Sequence, residues 1–255
     1  MEKLTVIKVG GGVLENAKKS EIFLDNFVKT EGLKILIHGG GRSATRLAER
    51  LGVETKMIEG RRVTDESMIE IVKMVYGGLV NKTVVAGLQK RGVNSIGLTG
   101  ADSNLIISHR RPIKNGIDYG YVGDIDSVNC GILKIFLNND IVPVIAPLTV
   151  DQNGEILNTN ADTIASEVAG ACSSFFEVNL IYCFEKPGVL ADADDEKSVI
   201  PRIDYTYYET LKTDGIINGG MIPKLENAFK TLQRGVKQVV ITDYLHLNEG
   251  GTIVI

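Results

Sequence analysis

The sequence predicts an α/β chain with a mainly parallel sheet, and three observations predict it. Within the first 52 residues an apolar run, a glycine cluster and an amphipathic helical stretch follow one another twice. Short runs rich in Val, Ile and Leu then recur at 94–98, 141–146, 178–183 and 238–242, with helical spacing between most of them. Both glycine clusters come directly after a strand pattern, the place where open parallel sheets take their ligands.

Leu4 to Val9 is apolar and β-branched, and Lys8 stands at its exit, just before Gly10, Gly11 and Gly12. Such a run reads as a buried strand ending in a loop whose backbone approaches a ligand closely. Glycine loops expose N–H donors and a lysine adds positive charge, so phosphate is the natural guest; a surface lysine before a turn is the plainer reading of this stretch alone. Ser20 is placed to cap a helix carrying Ile22, Phe23, Phe27 and Val28, which stops near Gly32. Leu33 to Ile37 is a second strand, running into His38-Gly39-Gly40-Gly41 and a helix from Ala44 to Leu51. Residues 53 to 64 alternate around Glu59-Gly60 as a hairpin, with Arg61 and Arg62 past the turn. Asp65 can cap a helical stretch to Arg91, interrupted or kinked at Gly77-Gly78.

Asn94 to Leu98 is a third core strand, and 104–125 reads as a hairpin excursion. A helix over Ile132–Leu137 leads to a buried strand at 141–146, to which Pro143 is a mild objection. Asp151 to Gly154 forms a turn, and Asn160 is a plausible cap for a helix through Ala171. Val178 to Cys183 is a strand, Glu209 to Lys212 a short helix, and Gly219 opens a helix from Met221 to about Arg234. Gln238–Thr242 and Thr252–Ile255 finish as strands. No internal repeat or low-complexity linker is visible.

Composition narrows the function. With 255 residues, 44% hydrophobic and 24% charged, the chain resembles ordinary globular proteins. A net charge of −4 and a pI near 5.5 argue against a general nucleic-acid binder, and the absence of Trp argues against a base-stacking platform. Cys130, Cys172 and Cys183 are widely spaced and read as reduced core residues. His38, His109 and His246 form no zinc-type cluster, so no protein-held metal is expected. No apolar run reads as a membrane span and the N-terminus enters strand pattern too early for a signal peptide, so a cytoplasmic protein without membrane or nucleic-acid partners is expected.

Four polar clusters fall at strand ends or helix starts: Lys8 with Gly10–Gly12, His38–Gly41, Asn158–Asp162, and Gly219-Gly220 leading to Lys224. Neither G-x-x-x-x-G-K-[ST] nor G-x-G-x-x-G occurs at the glycine loops. Taken singly, the clusters read as turns, caps and solvated charges. Together, Ile7-Lys8-Val9-Gly10-Gly11, Ile37-His38-Gly39-Gly40-Gly41, Gly60-Arg61-Arg62-Val63-Thr64, Gly78-Leu79-Val80-Asn81-Lys82, Leu157-Asn158-Thr159-Asn160-Ala161-Asp162 and Gly219-Gly220-Met221-Ile222-Pro223-Lys224 are similar to the amino acid kinase family. Within it they look like the branch that phosphorylates N-acylated glutamate, and the likeness runs nearly the whole chain.

The resemblance implies a three-layer α/β/α sandwich with an acyl-amino-acid lobe over about 1–175 and a nucleotide lobe over about 176–255. It implies transfer of the ATP γ-phosphoryl group, with Mg2+, to the side-chain carboxylate of N-acetyl-L-glutamate in arginine biosynthesis. Lys8 and Lys224 are then expected on the phosphoryl and leaving-group sides, with Asp162 orienting them. Gly10, Gly11 and Gly12 are expected at phosphate, and Gly40, Gly41, Arg62 and Asn158 at the acyl-amino acid. Phe184, Glu185, Gly188, Val189, Leu190, Asn218 and Met221 are expected near the nucleotide. This residue choice makes chemical sense: a carboxylate nucleophile is already deprotonated, so positioning and charge neutralisation suffice.

Two departures qualify the likeness. Phe184-Glu185-Lys186-Pro187-Gly188-Val189-Leu190 stands where relatives often carry Asp-Val-x-Gly-Ile-Leu, which unsettles the nucleotide contacts. Arg42 follows the second glycine loop, where an extra cation could meet an extra carboxylate, as in N-succinylglutamate. Only three residues precede Leu4, so the extra N-terminal helix expected of arginine-inhibited hexamers is missing, and a homodimer without feedback is expected. The rival class is a non-catalytic sensor that kept the nucleotide pocket; retention of both lysines and Asp162 speaks against it.

Overall fold

The structure, a computed structural model, describes residues 1–58 and 60–255. In chain order it forms β1 (Lys3–Val9), α1 (Gly11–Leu14), α2 (Ala17–Lys29), β2 (Leu33–His38), α3 (Gly41–Arg50), β3 (Met57–Ile58), β4 (Arg61–Arg62) and α4 (Glu66–Val72). A π-helical segment, Lys73–Val80, joins α4 to α5 (Asn81–Gln89). There follow β5 (Ser95–Leu98), β6 (Ile106–Arg110), β7 (Gly123–Val128), α6 (Cys130–Leu137), β8 (Val142–Ile145), β9 (Leu148–Val150) and β10 (Ile156–Asn158). The remainder is α7 (Ala161–Cys172), β11 (Glu177–Phe184), β12 (Arg202–Ile203), α8 (Tyr205–Thr213), α9 (Met221–Leu232), β13 (Gln238–Asp243) and β14 (Thr252–Val254).

These elements form two compact units, one of Met1–Ile35 with Ala165–Ile255 and one of Leu36–Ile164. In the first, the strand order is β12-β14-β13-β11-β1. β1 runs parallel to β11 with Lys8 opposite Tyr182, β11 runs parallel to β13, and β13 meets β14 antiparallel. Leu4, Val6, Ile7 and Val9 are fully buried, which explains the near-continuous apolar run: a strand covered on both faces has no polar side to alternate with. Phe23 and Phe27 of α2 pack at 6.1 Å, and Tyr208 of α8 meets Phe229 of α9 at 5.4 Å. Burying each such side chain stabilises the unit by roughly 1.5–3 kcal/mol.

The second unit holds β2 from Leu36 onward with the parallel strands β8 and β5, the four-stranded sheet β10-β9-β6-β7 and the hairpin β3-β4. Pro143 sits inside β8, and the pairing with β2 starts one residue later, at Leu36 with Val144. The fold class is therefore the predicted one, α/β with mainly parallel strands. The hairpin forms as expected, although Glu59 of its turn lies outside the described residues.

Several local expectations change. Asn16, not Ser20, caps α2, its Oδ1 accepting from the Lys19 N–H at 3.1 Å, so the helix starts a turn earlier. Asp65 does cap its helix, accepting from the Met68 N–H at 2.8 Å. The expected break at Gly77-Gly78 is a π-helical segment, which rotates the residues after it relative to an α-helix. Residues 66–89 are long and apolar enough to cross a membrane by length and composition alone. They bury Met68, Ile69, Ile71, Val72, Val75 and Tyr76 within the protein, leave Met74 and Leu79 exposed, and are interrupted by the wide segment.

Candidate active site

The second unit contains a cavity of about 200 Å³ lined by Gly39, Gly40, Gly41, Arg62, Tyr76 and Asn158, among others. Four of the residues expected at an acyl-amino acid, Gly40, Gly41, Arg62 and Asn158, thus share one wall set. Arg62 is only 8% exposed. Its Nη2 donates to the Gly41 carbonyl and to Thr45 Oγ1, both at 2.8 Å, and its Nη1 to Thr55 Oγ1 at 3.3 Å. All three acceptors are neutral oxygens, so they fix the guanidinium without cancelling its charge. Asn158 Nδ2 donates to Thr64 Oγ1 at 2.9 Å, which turns its amide oxygen toward the role of acceptor.

Gly40 is required by close approach. A Cβ there would lie 2.8 Å from the Tyr76 ring, and Tyr76 is placed by the π-helical segment. Behind the loop, His38 is wholly buried and bonds the Gly39 carbonyl through Nδ1 at 2.9 Å. A carbonyl only accepts, so Nδ1 carries the proton and Nε2 accepts from Asn81 Nδ2 at 3.1 Å. Asn81 Nδ2 also donates to the Val144 carbonyl at 2.9 Å, tying the glycine loop to β8.

Burial, with Lys82 as a lesser cause, lowers the His38 pKa from 6.5 to about 4. Since the folded state holds this proton less tightly than the unfolded chain, the contribution is complete above pH 6.5 and is lost as pH falls toward 4. Unfolding free energies from denaturant titration are expected to fall between pH 7 and 4.5 by an amount on the order of 3 kcal/mol, and His38→Asn is expected to flatten that dependence. An unchanged slope in the variant would contradict the assignment.

The cavity also holds residues the sequence reading missed. Arg61, read as a surface charge, is exposed but lines the cavity, and so does Arg111. Arg111 sits in a bidentate pair with Asp124, Nη2 at 2.5 Å and Nε at 3.1 Å from Oδ1. Among the described lining residues there are three arginines and no carboxylate; Asp124 offsets the charge of Arg111 from behind the wall, while the side-chain contacts of Arg62 are to neutral groups. Arg42, singled out in the sequence, is exposed on α3 and is not a lining residue. No motif flagged Arg111, because it comes from the β6–β7 excursion rather than from a strand end.

The first unit holds both lysines. Lys8 is buried, and its Nζ lies 4.7 Å from the centre of the Phe184 ring; Lys224 Nζ, from α9, lies 3.7 Å from the same ring. The Gly10 N–H donates to the Cys183 carbonyl at 3.0 Å, while Gly11 and Gly12 open α1, where first-turn N–H groups have no intrahelical acceptor. Burial pushes the neighbouring Cys183 thiol up to about 12, so it is an inert core group. Asp162 lies in the first turn of α7, its N–H donating to Asn160 Oδ1 at 2.8 Å; Asn160 is the helix cap the sequence predicted.

The expected nucleotide residues are spread out. Glu185 pairs with Lys19 at 2.7 Å, and the Val189 N–H donates to Thr252 Oγ1 at 2.8 Å with the side chain buried. A Cβ at Gly188 would meet Val199 and Thr252, and Leu190 bridges to Val199. The Asn218 carbonyl accepts from the Met221 N–H at 3.1 Å as α9 begins.

Comparison with known proteins defines the class first. Carbamate kinase from Giardia lamblia superposes with a TM-score of 0.70 at 16% identity, covering 100% of this chain and 98% of that one, so the two share a fold. The sequence profile of the amino acid kinase family matches residues 3–243, and the chain belongs to that family. An acetylglutamate kinase from Phocaeicola vulgatus is 57% identical over 254 residues, 99% of this chain and 98% of its own. The crystal structure of smu.665 from Streptococcus mutans is 30% identical with a TM-score of 0.81, covering 98% of both chains.

Proposed function

We propose that the protein transfers the γ-phosphoryl group of MgATP to the side-chain carboxylate of N-acetyl-L-glutamate, giving an acyl phosphate in the making of arginine. The observation that carries this reading is the gathering of Arg62, Asn158, Gly40 and Gly41 on one cavity. The full-length likeness to an acetylglutamate kinase supports it. Arg62 pairs with the α-carboxylate through its planar fork, and the Asn158 oxygen accepts the acylated N–H.

The side-chain carboxylate, already ionised, attacks the γ-phosphorus. One carboxylate O–P bond forms, the bridging bond to the β-phosphate breaks, and ADP leaves with that electron pair. Lys8 and Lys224 offset charge on the moving phosphoryl group and the leaving oxygen, the Gly11 and Gly12 N–H groups bind phosphate oxygens, and Asp162 orients the lysines. Magnesium arrives bound to the phosphates of the nucleotide and to water. The protein acts as a homodimer.

Arg111 favours a second acceptor. N-acetylglutamate offers one carboxylate beyond the reacting one, for Arg62; an acyl group carrying a second, as in N-succinylglutamate, would share Arg111 with Asp124 at the cavity wall. A panel of N-acetylglutamate, N-succinylglutamate and free glutamate, read as kcat/KM for ADP release, tests both readings. Highest kcat/KM with the acetyl compound is the expected result; preference for the succinyl compound selects the second acceptor. No turnover with any of them would favour the non-catalytic sensor.

A further inference from the structure

We propose that Thr64 is a positioning residue for the acyl-amino acid: its hydroxyl locks the Asn158 side-chain amide with the oxygen toward the cavity, so that the site takes an amide N–H and turns away an ester oxygen. This rests on the role proposed above for Asn158 as acceptor of the acylated N–H.

The lock is a short relay of hydrogen bonds that can run in one direction only. Thr64 is fully buried. Its Oγ1 lies 3.2 Å from the Arg62 carbonyl oxygen and 2.9 Å from Asn158 Nδ2. A carbonyl only accepts, so the single hydroxyl proton goes to Arg62 and the Thr64 oxygen is left to accept. Its partner on Asn158 is then the amide nitrogen, because an amide oxygen in that place would face another acceptor and leave both unpaired. Asn158 lines the cavity, and Oδ1 is the end of its amide that remains for a guest.

The backbone around Thr64 is held as firmly as its hydroxyl. The Thr64 N–H donates to the Tyr119 carbonyl at 2.9 Å, and the Thr64 carbonyl accepts from the Tyr121 N–H at 2.7 Å. The Tyr121 carbonyl in turn accepts from the Asn158 N–H at 2.8 Å. Residues 119–122 thus run between Thr64 and Asn158, with Gly120 bridging to the first and Val122 to the second. Gly120 makes the approach possible: its φ is +69°, and a Cβ there would collide with the Thr64 carbonyl. Thr64 therefore joins the two residues proposed to grip the substrate, Arg62 just before it and Asn158 far along the chain.

An unrestrained asparagine amide turns about its last torsion and presents either end, since the two ends are nearly equal in shape. Flipped, it would set donor against donor at the acylated nitrogen. Locked, it offers an acceptor before the substrate arrives, and the cost of ordering it is met in folding rather than in binding. An ester oxygen in place of the N–H would meet Oδ1 acceptor to acceptor. Without the lock, the amide could turn its NH2 group to that oxygen.

The test measures kcat/KM for N-acetyl-L-glutamate and for its α-acetoxy analogue, which carries oxygen in place of the N–H. The parent, Thr64→Ser, Thr64→Val and Thr64→Ala are compared, each with both compounds on one preparation. The ratio of the two values cancels any difference in folded fraction, so a less stable variant still reports. The parent is expected to prefer the amide by about 10- to 100-fold, the size of leaving one buried polar group unpaired. Thr64→Ser keeps the hydroxyl and is expected to keep the ratio. Thr64→Val and Thr64→Ala are expected to lower the ratio roughly tenfold, chiefly through a raised KM for the amide, with KM for ATP unchanged. A parent that takes both compounds equally, or a ratio undiminished in Thr64→Val and Thr64→Ala, would overturn the proposal alone. A ratio lost as far in Thr64→Ser would also overturn it, by assigning the effect to packing. No turnover of N-acetylglutamate by the parent would overturn the proposed function, and this role with it.

Discussion

Lys8→Arg is expected to leave the fold intact and to lower kcat by about 10²–10³, a loss of the size seen when one preorganised transition-state donor is removed. Fold retention is expected because the change keeps the positive charge and the long stem at the end of β1, whose stability comes from Leu4, Val6, Ile7 and Val9 and from seven register pairs with β11. Activity is expected to fall because Lys8 is a compact charge in a buried place, 7% exposed. A guanidinium is wider, spreads its charge over three nitrogens and stacks flat on rings, so beside Phe184 it would adopt a different stance. Steady-state kinetics with a thermal-melt control reads this directly, and kcat within threefold of the parent would return Lys8 to the role of a structural residue.

Arg62→Lys is expected to act on binding instead. The guanidinium is held by the Gly41 carbonyl, Thr45 and Thr55, three contacts that a single ammonium cannot reproduce while presenting a fork to a carboxylate. Loss of one charge-assisted, bidentate contact is worth about 1.5–3 kcal/mol, so KM for the acyl-amino acid should rise roughly 10- to 100-fold. KM for ATP should stay near the parent value, since the residues proposed for phosphate lie elsewhere in the chain. Equal rises in both constants would mean that Arg62 supports the fold rather than the substrate. The double change of Lys8 and Arg62 is expected to be close to additive if one acts on kcat and the other on KM.

Much of the architecture was legible because strands buried on both faces announce themselves: β1, β2, β8, β11 and β13 all appear as Val/Ile/Leu runs. The discontinuous makeup of the first unit was not, since nothing local says that Lys3–Val9 pairs with a strand beginning at Glu177. Helix starts were misread where two capping residues compete, as Asn16 and Ser20 do, because only the backbone geometry decides which side chain reaches an N–H.

Arg62, past a hairpin turn, and Asn158, at a strand end, were singled out through the likeness to the amino acid kinase family, and both line the cavity. Arg111 and Tyr76 were invisible because the first needs the bulged β6–β7 pairing and the second the extra residue per turn of the π-helical segment. Phe184 looked like a weakened nucleotide contact; its two lysine neighbours come from β1 and α9, a meeting that no spacing in the sequence encodes. His38 was read only as part of a glycine motif, and its hold on the Gly39 carbonyl depends on Asn81, 43 residues later.

The central claim, that a carboxylate takes the γ-phosphoryl group directly, is tested most directly by 31P NMR of the protein with MgATP and N-acetylglutamate. The account predicts that the γ-phosphorus signal is replaced by an acyl phosphate and ADP in equal amounts, and that added hydroxylamine converts the acyl phosphate to a hydroxamate. Release of inorganic phosphate with no acyl phosphate, or an unchanged nucleotide spectrum, would contradict it.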